Sequence, residues 1–262
     1  MIEQTIEQLL ALRLSGCVQA LKEQLEDSKY QDLPFEQRLA LIVDREQMRR
    51  QNLSLQRRIR EAQLKQAATI ENMDFHTQRQ LNKATLLDLA SCSWIQHHQN
   101  LFILGATGLG KTFIACALAN KACRLGLRAL YIKAADLISN LLLARADGSF
   151  AAYSSKLNKF DLLIIDEWLR SPLTEQQSRE ILDLADDRYS NRSTIFVSQL
   201  PVSDWHSSIA APTIADAILD RIVHNASRIE LKAKESMRSQ KNIPSSWLTK
   251  KSQPLASSLR SD

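Results

Sequence analysis

Cysteine is scarce in this 262-residue chain, and the four present, Cys17, Cys92, Cys116 and Cys123, have no C-x-x-C spacing. That argues against a zinc knuckle or a disulfide framework and for a reducing compartment, the cytoplasm. Cys116 and Cys123 stand seven apart on one expected helix, which suits core packing. No run of eighteen apolar residues occurs, so no transmembrane helix is expected. The start, MIEQTIEQLLALRL, lacks both a basic stretch and a small-residue cleavage site, so it does not read as a signal peptide. Aromatic residues make up only 6% of the chain, and none stands among the arginines between Gln47 and Ala68. That disfavours stacking on single-stranded bases and leaves contacts to a nucleic-acid backbone. Glycine numbers only six, yet three fall between positions 105 and 110.

Charge is unevenly spread around a formal net of +5. Residues 1–36 carry seven acids against three bases, residues 37–65 eight bases against three acids, and residues 219–262 nine bases against four acids. Basic stretches flanking a more acidic middle favour a nucleic-acid partner held through its phosphates, although a charge run is also what a solvated helix face looks like. The candidate DNA contacts are Arg49, Arg50, Arg57, Arg58 and Arg60.

The three glycines belong to Leu101-Phe102-Ile103-Leu104-Gly105-Ala106-Thr107-Gly108-Leu109-Gly110-Lys111-Thr112, which fits G-x-x-x-x-G-K-[ST] after an apolar strand and before a helix. Such a loop turns its backbone N–H groups inward onto phosphate oxygens, and the helix that follows aims its positive end at the same place. Lys111 is expected to reach the β- and γ-phosphates of ATP, and the Thr112 hydroxyl to hold Mg²⁺.

A second apolar run, Asp161-Leu162-Leu163-Ile164-Ile165-Asp166-Glu167, ends in two acids. A strand buried on both faces of a parallel sheet delivers its C-terminal end to the ligand crevice. Asp166 is expected at the metal and Glu167 as the base that polarises an attacking water. A third strand, residues 193–199, ends in Ser198 and Gln199; either could orient water or sense the γ-phosphate, and Gln199 reaches further, although a strand end simply entering a turn at Pro201 fits the spacing equally well.

Around these motifs, residues 1–30 read as a helix with Leu10, Leu14, Val18, Leu21 and Leu25 on one stripe. A second helix starts at Pro34 and turns basic, residues 69–80 read as a linker, and residues 81–98 regain helical spacing. Helices at 112–125, 135–144, 174–189 and 212–225 alternate with strands at 101–104, 128–132, 161–167 and 193–199, the pattern of an α/β fold with a parallel sheet covered on both faces. The expected domains are a helical unit over 1–68, a phosphate-loop unit over 69–242 and a disordered basic tail over 243–262.

Taken in order, GATGLGKT, LLIIDE, TIFVSQLP, AILDRIVH and ESMR resemble the AAA+ ATPases of the initiator and loader group. Within that group the phrases SQLPVSDWH, AILDRIVHNASRIEL and ESMR most resemble IstB-like transposition helpers; DnaC-like replicative helicase loaders share the core and are the alternative. The resemblance implies a P-loop AAA+ ATPase core behind an all-helical N-terminal domain. It implies a homo-oligomer on duplex DNA, with ATP at subunit interfaces, little sequence preference and an IstA-type transposase as partner. By the same resemblance Gln199 is a first sensor, Arg221 an arginine finger acting on the neighbouring subunit's ATP, and Arg238 a second sensor in cis. Arg221 could instead form a salt bridge to Asp216 or Asp220, and Lys234-Glu235-Ser236-Met237-Arg238 departs from the S-Y-R that loaders more often carry. A small-molecule kinase on the same loop is a third reading; the adjacent acids Asp166 and Glu167 and the basic flanks count against it.

Overall fold

The computed structural model describes residues 1–75 and 81–232. The chain divides after Glu61 into two compact units. The expected boundary at 68 falls inside the second unit, where Ala62 and Ala68 are both fully buried.

The first unit is helical: α1 (Ile2–Ala11), α2 (Ser15–Glu26) and α3 (Phe35–Glu61). The single helix expected over 1–30 is broken because the chain turns at Arg13, whose φ is 60°. The turn splits the leucine stripe, so Val18 is buried while Leu10 and Leu25 stay about half exposed. At the start of α2 no side chain of the preceding residue caps the helix. Glu46, from the middle of α3, does so instead: its Oε2 accepts from the Gly16 N–H at 2.6 Å. Arg50 pairs with the same carboxylate at 2.7 Å and Arg49 at 3.5 Å.

The second unit opens with an irregular segment, then α4 (Lys83–Leu89) and α5 (Ser93–Gln96). These two replace the one helix expected over 81–98, because Cys92 takes a left-handed conformation between them. β1 (Asn100–Gly105), α6 (Lys111–Arg124), β2 (Ala129–Lys133), α7 (Ala134–Ala146), α8 (Phe150–Leu157) and β3 (Leu162–Trp168) follow. The chain closes its described part with α9 (Glu175–Arg188), β4 (Ser193–Ser198), α10 (Pro212–Val223) and β5 (Ala226–Leu231).

The five strands form one parallel sheet in the order β2-β3-β4-β1-β5. Side chains alternate across each strand. Phe102, Leu163, Ile165 and Phe196 join residues of α7, α9 and α10 in one apolar cluster, in which Phe102, Trp168, Phe196 and Trp205 pack edge to face. The intervening Leu101, Ile103, Ile164 and Ile195 are equally buried outside that cluster, as are Ile114 and Leu118 of α6, so both faces are covered. This is a doubly covered α/β sheet, as expected from the alternation of strands and helices. β5 is the strand that hydrophobic pattern missed. It lies at the sheet edge with only Ile229 and Leu231 buried, and Ser227, Arg228 and Glu230 disguise it as loop. Among the described residues no helix is long and apolar enough to cross a membrane.

Candidate nucleotide site

β4 lies between β1 and β3, so three strand ends converge: Gly105 of β1, Ser198 of β4, and Asp166 with Glu167 of β3. Their polar residues line one cavity of about 380 Å³, with Thr107, Gly108, Gly110, Lys111, Thr112, Asp166, Glu167 and Gln199 in its wall. A Cβ on Gly105, whose φ is 140°, would run into the Leu231 carbonyl of β5, so only glycine fits where the loop leaves the sheet. Ala106, Thr107 and Leu109 complete the turn, with Leu109 buried beneath it. Lys111 folds its ammonium back over the loop and donates to the Gly105 and Ala106 carbonyls at 2.7 and 2.9 Å.

Asp166 is the hub of the site and is 3% exposed. Its Oδ2 accepts from the Thr112 hydroxyl at 2.9 Å and from the Tyr131 hydroxyl at 2.7 Å, and its Oδ1 accepts from the Glu167 N–H at 2.8 Å. The Lys65 ammonium lies 4.0 Å from Oδ2. Burial, then the Asp166 carboxylate, push the Tyr131 phenol far above its ordinary range, so it stays a protonated donor.

Glu167 stands where β3 breaks register with β4 between Ile165 and Trp168. Its φ is 59° and that of Leu169 is 53°, a strained pair for residues other than glycine. Such strain costs on the order of 1–3 kcal/mol per residue and gathers at functional sites. The bulge lets consecutive acids leave one strand in different settings: Asp166 is sealed in, whereas the Glu167 side chain is 31% exposed and pairs with Arg170 at 3.0 Å. Gln199 is tied to the loop, for its side-chain oxygen accepts from the Thr107 hydroxyl at 2.7 Å. Ser198, also in the cavity wall, donates to the Trp168 carbonyl at 2.8 Å.

The irregular segment supplies residues that motif reading missed. Lys65, Gln66, Asn72 and Asp74 line the same cavity, and Met73 is buried beneath them, so the part of the expected linker up to Phe75 is a wall. It carries no motif and only weak periodicity; the clue was apolar residues, Ile70, Met73 and Phe75, set among polar ones.

Arg221 does not join this site. It lies near the C-terminal end of α10, next to Ile222, whose carbonyl accepts from Asn100 at the start of β1. The phosphate loop leaves the other end of that strand, about 17 Å away at 3.3 Å per residue. Arg221 pairs with Asp186 of α9, not with Asp216 or Asp220, and also donates to the Ala217 carbonyl at 2.8 Å. It borders a separate cavity of about 410 Å³ that contains no phosphate-loop residue. Arg238 and the tail from 243 lie outside the described residues.

Among the arginines of α3, Arg49 and Arg50 are engaged with Glu46, and Arg58 donates to the Ser54 hydroxyl at 2.8 Å. Arg57 and Arg60 are exposed.

A family model described as IstB-like ATP binding protein matches residues 7–245. The chain belongs to that family. A Sinorhizobium fredii protein named as an insertion sequence ATP-binding protein is 41% identical over 237 residues, covering 90% of this chain and 97% of its own. The ATP-binding protein named for insertion sequence IS21 of Pseudomonas aeruginosa is 28% identical over 255 residues, covering 97% of this chain and 95% of its own. In fold, this IstB-like chain is similar to DnaA from Aquifex aeolicus bound to AMPPCP, at a TM-score of 0.53 and 18% identity over 68% of this chain and 54% of that one. DnaI is similar at a TM-score of 0.53 and 17% identity, over 65% of this chain and 90% of its own. The second unit is thus a phosphate-loop α/β domain that shares its fold with DnaA and DnaI, in an ATP-binding family.

Proposed function

We propose that this chain is an ATP-hydrolysing regulator of DNA transposition that assembles on duplex DNA with little sequence preference and activates a partner transposase of the IstA type. The relatives named for insertion sequences support the transposition context. The observation that supports the assembly is the distance of Arg221 from the phosphate loop of its own chain; in this reading each loop is half of a site. A second copy would complete it with its own Arg221.

In this reading Lys111 swings from the Gly105 and Ala106 carbonyls onto the β- and γ-phosphates, and the loop N–H groups hold the remaining oxygens. Thr112 and Asp166 offer hard oxygen donors of the kind Mg²⁺ takes when phosphates supply the rest. The described residues contain no cluster of three or more His, Cys, Asp or Glu, and such a site needs none. Bound Mg²⁺ would neutralise charge on the phosphates. Glu167, less buried than Asp166 and on strained backbone, orients and deprotonates water. Gln199 reports on the γ-phosphate through Thr107. Arg57 and Arg60 contact DNA phosphates.

The test is sizing of the full chain with and without duplex DNA, in ATP and in ADP. ATP together with DNA should give large assemblies whose formation weakens steeply with salt. A monomer under all four conditions would overturn the assembly, and co-purification with a replicative helicase in place of a transposase would overturn the transposition role.

A further inference from the structure

We propose that Tyr131 is a positioning residue for the metal side of the nucleotide site, holding the Asp166 carboxylate in the orientation that Mg²⁺ requires. This rests on the ATP–Mg²⁺ reading of the cavity and deepens it.

Three facts carry the inference. The first is register. Lys133 of β2 stands opposite Asp166 of β3, and Tyr131 stands opposite Ile164. Tyr131 and Lys133 share a face of β2, so Tyr131 is the diagonal neighbour of Asp166, a spacing that a long aromatic side chain spans. Its hydroxyl reaches Oδ2 at 2.7 Å. A shorter hydroxyl residue at the same place would fall short.

The second is lone-pair accounting. A carboxylate has about four acceptor sites, two on each oxygen. Thr112 and Tyr131 both donate to Oδ2, and the Glu167 N–H occupies one site of Oδ1. The carboxylate therefore cannot rotate without losing a hydrogen bond, and one site on Oδ1 is left for the water shell of a cation. Thr112 has a second task in the site, since it is itself a candidate metal donor. If its hydroxyl turns toward the cation, Tyr131 is the one side-chain hydroxyl still holding Asp166.

The third is enclosure. β2 is an edge strand, and an edge strand is open to water. Here the backbone of the irregular segment covers that edge: the Ala62 carbonyl accepts from the Tyr131 N–H at 2.9 Å, and Ala62 is fully buried. Tyr131 is 8% exposed in consequence. A shielded hydrogen bond to a charged acceptor is stronger than a solvated one, and it fixes geometry as well.

Outer partners of metal-bound groups are worth about 10- to 100-fold in metal affinity. The probe is a fluorescent, non-hydrolysable ATP analogue titrated with MgCl₂ against the full chain. Tyr131→Phe keeps the ring and removes the hydroxyl. It should raise the Mg²⁺ concentration at half-saturation about tenfold, leave binding of the analogue in EDTA unchanged, and lower the thermal unfolding midpoint by only the few degrees that loss of one buried hydrogen bond costs. Combined with Asp166→Asn, the same substitution should have no further effect on the Mg²⁺ dependence. An unmoved Mg²⁺ curve overturns the inference, as does an equal loss in EDTA or an additional shift when Asp166→Asn is already present. The double variant leaves no carboxylate charge facing a missing hydroxyl, so if the single variant unfolds the inference can still be overturned, by any difference in Mg²⁺ dependence between the double variant and Asp166→Asn alone. Failure of the parent chain to bind the analogue with Mg²⁺ would sink the ATP reading itself. Parent binding with an unmoved Tyr131→Phe curve would sink only the role of Tyr131.

Discussion

Asp166 and Glu167 are neighbours in sequence, yet one is enclosed by donors and the other stands on a bulge with a positive φ. An enclosed acid fixed by hydrogen bonds, with one acceptor site still open, suits holding a cation, whereas a less buried one with a loose partner suits moving a proton. Arg170, 67% exposed, is that loose partner, and an exposed pair of this kind contributes little to stability. Glu167→Gln should therefore keep ATP binding and lower the turnover rate by about 10²-fold or more, the usual contribution of a positioned base. Steady-state hydrolysis alongside equilibrium ATP binding checks it. Turnover within a few-fold of the parent would move the base assignment elsewhere.

Helices α2 and α3 meet where Gly16 faces Glu46. A Cβ at Gly16 would stand 2.7 Å from the Glu46 Oε2 and 2.8 Å from its Cα. The contact is close because the Gly16 N–H donates to that carboxylate, which Arg49 and Arg50 in turn neutralise. Hydrogen bonding from Arg50 holds the Glu46 carboxyl below its usual range, against the opposing effect of burial. Two arginines that read as a DNA-facing run are thus partly committed to joining two helices. Gly16→Ala should force the helices apart at a cost of about 1–3 kcal/mol, the range for overpacking. Amide hydrogen exchange over α2 in the full chain measures it: protection should fall there and stay unchanged in the sheet of the second unit. Undiminished protection of α2 would mean that the helices accommodate the methyl without cost.

For the molecule as a whole, the question is whether one chain suffices for chemistry. Arg221 is held by Asp186 at the end of β1 remote from the phosphate loop. Arg221→Ala should leave ATP binding intact and slow hydrolysis by about 10³-fold or more, as loss of such a group does in other phosphate-loop enzymes. Lys111→Ala removes the loop cation and should abolish binding while leaving Arg221 in place. Mixing the two variants should restore part of the hydrolysis neither has alone, because an intact loop then meets an intact arginine across a subunit boundary. Mixtures as inactive as their components would argue that Arg221 acts within its own chain or not at all.

The phosphate loop, both acids and the parallel α/β order could be read directly, because each is local: a loop needs its glycines at fixed spacing, and a strand buried on both faces must be apolar throughout. The resemblance to the IstB-like family rested on other short phrases, SQLPVSDWH, AILDRIVHNASRIEL and ESMR, and the family match bears it out. What could not be read depends on contacts between residues distant in sequence. β5 was hidden because an edge strand needs only two buried side chains, and Tyr131 was silent until β2 lay beside β3 and brought its hydroxyl to Asp166. The wall of Lys65, Asn72 and Asp74 has too little periodicity to betray it, because irregular backbone follows no repeat. Sequence alone therefore determined which chemistry the nucleotide loop could support. Tertiary structure decided which side chains hold its acid in place and put Arg221 beyond the reach of its own loop, since pairing across a sheet is set by register and packing, not by proximity along the chain.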